Sequence, residues 1–252
     1  MSQQTKYIHT SEIHNLDAPK AIVPFLINKF YPQSVADVGC GIGTFLQVLL
    51  ENGISDIVGI DGDWVNRSEL FIPEKYFVER DLEKDLNINR RFDMVLCLEV
   101  AEHLSEKIAD NFIKNLTQLS DLIIFSAAIP NQGGQNHLNE QHFNYWIEKF
   151  AKRGFIFYDV FRTKFWNNEK VNWWYKQNMF LVVHNSVDVS KYKIDANASE
   201  PICEYIHPDL LALYSNELRK YKSKLGSIKE GKASGKLYLH LLKKKIISKF
   251  KK

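Results

Sequence analysis

The chain has 252 residues, 45% hydrophobic and 25% charged, enough for one enzyme-sized domain with its own core and modest additions. Its net charge of +3 is unevenly placed: Lys236 to Lys252 holds seven lysines and no acid, so the rest is net acidic at −4, which disfavours a body built to hold long nucleic acid. Cys40, Cys97 and Cys203 show no CxxC or zinc spacing, and no run has the apolar length of a signal core or membrane span, so the sequence reads as cytoplasmic, without disulfides or a thiolate metal site.

A helix is expected over Ala18–Phe30, interrupted at Pro24, with Tyr31 and Pro32 turning into a first strand at Ser34–Val38. A helix at Phe45–Glu51, stopped by Gly53, leads to a strand at Asp56–Ile60, and strands at Tyr76–Glu79 and Phe92–Leu98 follow. Next come a helix at Ser105–Leu119, a strand at Leu122–Ser126, a helix at Gln141–Arg153 stopped by Gly154, and strands at Phe155–Phe161 and Met179–Val183. Short strands joined by helical crossovers predict an α/β fold, a Rossmann-like open sheet of seven strands read as parallel, with helices on both faces. Its crevice lies at the strand C-terminal ends.

The catalytic domain is placed at 1–185, with a cofactor half at about 15–128 and a substrate loop and last strands at 129–185. Residues 186–252 read as an appendage: irregular to Pro208, helical over Asp209–Leu225, a loop over Gly226–Gly235 and a basic terminal helix over Lys236–Lys252. In that last helix Leu237, Leu241, Leu242 and Ile246 oppose the lysines, which suits a solvated or partner-packed helix, or peripheral contact with the inner membrane surface.

The run from Val35 to Phe45 is a strand, a glycine-rich turn and a helix start. Gly39, Gly41 and Gly43 let backbone approach a ligand closely, but Thr44 stands where the dinucleotide fingerprint wants its third glycine, which disfavours hydride transfer. Asp61 ends the second strand, where a carboxylate can accept both hydrogen bonds of a ribose diol, and Asp81-Leu82 follow the third, where an adenine edge would sit. The series D-V-G-C-G-I-G-T-F, G-I-D-G-D, R-D-L and F-D-M-V-L-C-L-E-V resembles the successive motifs of class I S-adenosylmethionine-dependent methyltransferases. That resemblance gives Gly39, Gly41 and Gly43 to the methionine moiety, Asp61 to ribose and Asp81 with Leu82 to adenine; Asp37 and Glu99 complete the expected cofactor-facing set.

Glu99, Glu102 and His103 have spacings that can share one helical face at the crevice mouth. Two carboxylates and an imidazole there can hold a divalent cation, magnesium, manganese or zinc; alternatively Glu102 caps and His103 lines the cofactor without any metal. The stretch Ile129–His142 is polar and glycine-rich, as a substrate cover would be, and His142 reads as a helix-start residue. E-x-x-E-H followed by a histidine after the fifth strand resembles the metal-dependent 2′-O-methyltransferases of small-RNA ends, and partly the ubiquinone-pathway O-methyltransferases, which nominates His137 as a fourth ligand. His137, His103 and Glu140 are the expected catalytic residues, with a histidine able to take the acceptor's proton.

From His14 to about His184, the segments S-A-A-I-P, G-G-x-x-H-x-N-E-Q and W-Y-K-Q-N resemble a bacterial group linked to surface-polysaccharide and glycan methylation. The implied acceptor is a sugar hydroxyl, in a sugar or nucleotide sugar whose rings Trp166, Trp173, Trp174 and Tyr175 would pack against. RNA ends would want a basic groove, a quinone would want a more apolar lid, and an inactive cofactor-binding partner protein would not need intact acids and histidines at the strand ends.

Overall fold

In the computed structural model residues 15–195, 202–232 and 234–236 are described. The chain alternates helix and strand: α1 Asp17–Phe30, β1 Ser34–Val38, α2 Thr44–Glu51, β2 Asp56–Asp61, β3 Phe77–Glu79, β4 Met94–Leu98, α3 Ala109–Leu119, β5 Leu122–Ser126, α4 Phe143–Ala151, β6 Phe155–Tyr158, α5 Arg162–Phe165, α6 Trp173–Asn178, β7 Phe180–His184 and α7 Pro208–Lys229. The seven strands form one sheet in the order β3-β2-β1-β4-β5-β7-β6. Strands β3 to β5 run parallel, but β7 lies antiparallel to both β5 and β6, so the all-parallel expectation is corrected at the last strand.

Alternate residues of a strand face opposite ways, so each buried strand feeds two cores. On β4, Met94, Leu96 and Leu98 join Ile22, Leu26, Phe45 and Leu49 of α1 and α2, while Val95 and Cys97 join Phe112, Leu116, Trp146 and Phe150 of α3 and α4. Each such large side chain removed from water is worth roughly 1.5–3 kcal/mol before entropy is counted. Pro24 does not interrupt α1. It removes only the bond to the Lys20 carbonyl, and Lys20 is exposed, so water can take that bond.

Gly53 and Gly154, with φ of 88° and 80°, follow α2 and α4 as expected helix stops. The helix read as beginning at Ser105 begins at Ala109, after a short 3-10 turn at Glu106–Ile108. One compact unit extends to His207 and a second begins at Pro208. In the second, α7 runs on to Lys229, so Gly226 is helical and not the start of a loop. The expected terminal basic helix lies, beyond Lys236, outside the described residues. No helix among the described residues is long and apolar enough to cross a membrane.

Candidate active site

The turn after β1 carries positive φ at Gly39, Gly41 and Gly43, of 81°, 52° and 82°. The Gly39 amide donates to the Ile60 carbonyl at 2.7 Å, and the Gly41 and Gly62 amides donate to Oδ2 and Oδ1 of Asp61, each at 2.7 Å. Asp61 therefore braces the glycine turn from the end of β2, and a carboxylate with about four acceptor sites has capacity left for a ligand. Gly39 cannot be replaced cheaply. A Cβ there would overlap the Val100 side chain, so Gly39→Ala is expected to cost about 1–2 kcal/mol in left-handed strain plus that contact, read as a lower melting temperature and weaker S-adenosylhomocysteine binding.

Asp37 and Asp61, 4% and 5% exposed, lie close enough to repel. Burial and then the Asp61 charge push Asp37 up to about 8; burial raises Asp61 to about 6 against the opposing pull of the Gly62 and Gly41 amides. Two buried carboxylates held so far above their ordinary values favour a cationic ligand. They line a cavity of about 970 Å³, at the upper end of the usual 300–1,000 Å³ for small-molecule sites. Asp81 and Leu82 also line it. Burial raises Asp81, but Lys84 at 3.0 Å and the Glu83 amide outweigh it and hold that carboxyl below its usual range.

Glu99, Glu102, His103 and His137 share the cavity wall, but not one helical face. Glu99 has φ 56°, and only Ala101–His103 form a 3-10 turn. Ligand atoms of Glu102, His103 and His137 lie within 4.8 Å of one another; Glu99 is not part of that group. Its carboxylate instead accepts from Nε2 of Gln132 at 3.0 Å and Nδ2 of Asn178 at 3.2 Å, while the Ser126 hydroxyl accepts from its amide at 3.0 Å. Gln132, Gln177 and Asn178 are all buried, and Asn178 and Gln177 bond each other and Gln132. Those amides hold the Glu99 carboxylate beside the cluster, where the His137 charge still reaches it.

Glu102 is fully buried, and no aligned hydrogen bond meets either carboxylate oxygen. Burial, and then the Glu99 charge, raise it well above the carboxylate range. His103 moves the other way, lowered to about 4 by burial and then by His137, so it is neutral at physiological pH. The His103 and His137 rings meet edge-on with centroids 4.8 Å apart. Glu140 does not line the cavity; it holds Nδ1 of His137 at 2.8 Å and accepts the amides of Asn131 and Gly133 at 2.7 and 2.8 Å. It is a brace for His137. The Leu138 and Asn139 amides donate to the Glu102 carbonyl at 2.8 and 3.0 Å, which fastens the polar loop beside the cluster.

Gly43 does not line the cavity either; it caps α2 and packs on Ile72. His142 precedes α4 and pairs with Glu204 at 2.8 Å, away from the cluster. Trp173, Trp174 and Tyr175 line the cavity, but Trp166 packs on His207 with centroids 4.7 Å apart.

The family description "Methyltransferase domain" (Methyltransf_23) matches residues 13–185. The chain belongs to this methyltransferase family. No curated protein matches the methyltransferase by sequence. Among solved structures, magnesium protoporphyrin IX methyltransferase (ChlM) from Synechocystis PCC 6803 with bound SAH is similar at 17% identity and a TM-score of 0.50, over 66% of this chain and 81% of that one. Small RNA methyltransferase HEN1 is similar at 18% identity and a TM-score of 0.50, over 72% of this chain and 27% of that one. The fold is that of class I S-adenosylmethionine-dependent methyltransferases.

Two features of the methyltransferase site escaped the sequence. Trp64 lines the cavity three residues after Asp61, with its ring so close to Gly62 that a Cβ would collide with it. An aromatic soon after the second-strand acid was the available signal. The Gln132–Gln177–Asn178 grip was not legible as a contact, although Gln177 and Asn178 belong to the W-Y-K-Q-N segment, because Gln132 lies 45 residues from Gln177 in the chain.

Proposed function

We propose that this methyltransferase transfers a methyl group from S-adenosylmethionine to a sugar hydroxyl, in a sugar or nucleotide sugar destined for a bacterial surface glycan, with a divalent cation assisting. The observation that carries the reading is the Glu102–His103–His137 cluster, with its buried carboxylate lacking aligned partners, in the same cavity as the Asp37–Asp61 pair. S-adenosylmethionine supplies, when bound, a methyl on a positively charged sulfur, which passes to the acceptor oxygen as that oxygen gives up its proton.

Asp61 and Asp81 are suited to ribose and adenine, and the paired acids Asp37 and Asp61 to the cofactor's positive charge. Glu102, His103 and His137 would hold magnesium or manganese, whose charge lowers the pKa of an acceptor hydroxyl. His137, oriented by Glu140 through Nδ1, keeps its other ring nitrogen for the proton or the ion. Trp173 and Trp174, with ring centroids 5.4 Å apart on the cavity wall, offer apolar faces for a sugar or base, and Asn172 beside them adds an amide.

The test is titration with S-adenosylhomocysteine before and after chelation, followed by a methyl-transfer screen over nucleotide sugars. Chelator-sensitive turnover on a nucleotide sugar supports the reading. Turnover confined to RNA 3′ ends or to quinols would overturn the acceptor, and turnover indifferent to chelator would remove the cation.

A further inference from the structure

Helix α7 carries a second pattern, independent of the methyl-transfer site. Leu211, Tyr214, Leu218, Tyr221, Leu225 and Ile228 follow at intervals of three, four, three, four and three, which is the a/d spacing of a coiled coil held for about two and a half heptads. A repeat averaging 3.5 residues keeps a narrow seam on one side of the helix. Leu211, Leu218, Tyr221 and Leu225 are 61%, 54%, 68% and 53% exposed. From Asn216 onward the positions off the seam are polar, charged or glycine, among them Arg219, Lys220, Ser223 and Ser227. We propose that α7 pairs in parallel with α7 of a second copy of this chain, making the methyltransferase a dimer.

The occupant follows from the shape and charge of the seam. A helix lying on a membrane wants a broad apolar face; α7 adds the exposed Leu213 beside the seam in its first turns, but from Asn216 on it offers only two apolar residues per heptad, which suits knobs-into-holes packing against another helix. In a parallel pair the heptad assignment sets Glu217, at g, against Lys222, at e, of the second copy, and the symmetry gives that attraction twice. Lys224 and Lys229 meet at the next such position and oppose it, so the pair is a modest one. Two tyrosines in each helix, each offering roughly 150–250 Å², together with the leucines bring the contact to the order of the 1,000 Å² that specific association needs.

Light scattering coupled to gel filtration on the full chain tests this. The expected mass is twice that of the chain, falling to the single-chain value in Leu218→Glu/Leu225→Glu, with the melting shift caused by S-adenosylhomocysteine retained as a sign that the body is folded. Because each α7 has five basic and two acidic residues, raising salt to about 1 M should leave the dimer intact or strengthen it, while adsorption to anionic vesicles would weaken. The surface variants Glu217→Lys and Lys222→Glu should each weaken pairing, and their combination restore it. A wild-type monomer, a dimer that survives the double leucine substitution, vesicle binding by a monomer through the same leucines, or a double swap that fails to restore pairing would each overturn the proposal.

Discussion

Glu102→Gln is expected to lower kcat/KM by about 10²–10⁴-fold while making the protein harder to melt. The two effects have one cause. At neutral pH the Glu102 carboxyl is buried without an aligned partner and repelled by Glu99, so its raised pKa records a charge the fold does not welcome. Its stabilising protonated form is fully present below the ordinary carboxylate value and is lost as pH rises through the raised one. A neutral glutamine removes that liability, and each kcal/mol relieved raises the melting temperature of a domain this size by about 2–4 °C. It also removes the negative ligand that a cation needs. His137→Ala should cost activity to a similar degree without the gain in stability, since it takes from Glu140 one of its three partners and leaves only the Asn131 and Gly133 amides. Steady-state kinetics and thermal melts on both variants check this. Activity within about 3-fold of wild type for Glu102→Gln would remove the residue from the mechanism.

Asp37→Asn should raise the melting temperature of the ligand-free protein at pH 8 and weaken S-adenosylmethionine binding about 10- to 100-fold. With a folded value of about 8 against 3.8 for the free side chain, Asp37 contributes stability that is complete below about pH 4 and falls away as pH rises to about 8. The wild-type melting temperature should therefore decline over that window relative to Asp37→Asn. A cationic ligand favours the charged carboxylate, so binding below pH 8 should release protons, which titration in buffers of different ionisation enthalpy measures. Equal affinity and equal pH profiles in the two proteins would show that Asp37 packs beside the ligand without sensing its charge.

Local pattern carried most of the fold. The strands of β1, β2, β4 and β5 stood out because each is a short, largely apolar and mostly buried run, from Ser-Val-Ala-Asp-Val in β1 to Leu-Ile-Ile-Phe-Ser in β5, bounded by turn residues. Direction is another matter. Nothing in Phe180–His184 distinguishes a strand running with its neighbours from one running against them, since pairing lies between segments rather than within one. The acids at the ends of β2 and β3 were legible by position, as was the pairing of His103 with His137 by resemblance. Only the shared helical face expected for Glu99, Glu102 and His103 is absent, because Glu99-Val100-Ala101-Glu102-His103 is not one helical turn. The left-handed backbone at Glu99 rotates its side chain out of that face, and the amides that receive it come from residues 33 and 79 positions away.

The reversed direction of β7 has a consequence for how acceptor choice could change over evolutionary time. Strand β6 ends and β7 begins at the same rim of the sheet, so residues 159–179, with α5, α6 and the aromatic wall, leave and re-enter the fold at neighbouring points. Such a segment can be rewritten in length and composition while the strands keep their register and the glycine turn on the far side of β4 keeps its ligand. The rewriting has fixed points inside the segment: Phe161, Phe165 and Val171 are buried in the core, and Gln177 and Asn178, at its exit, must still reach Gln132 and Glu99. The segment is thus an exchangeable module held by those anchors.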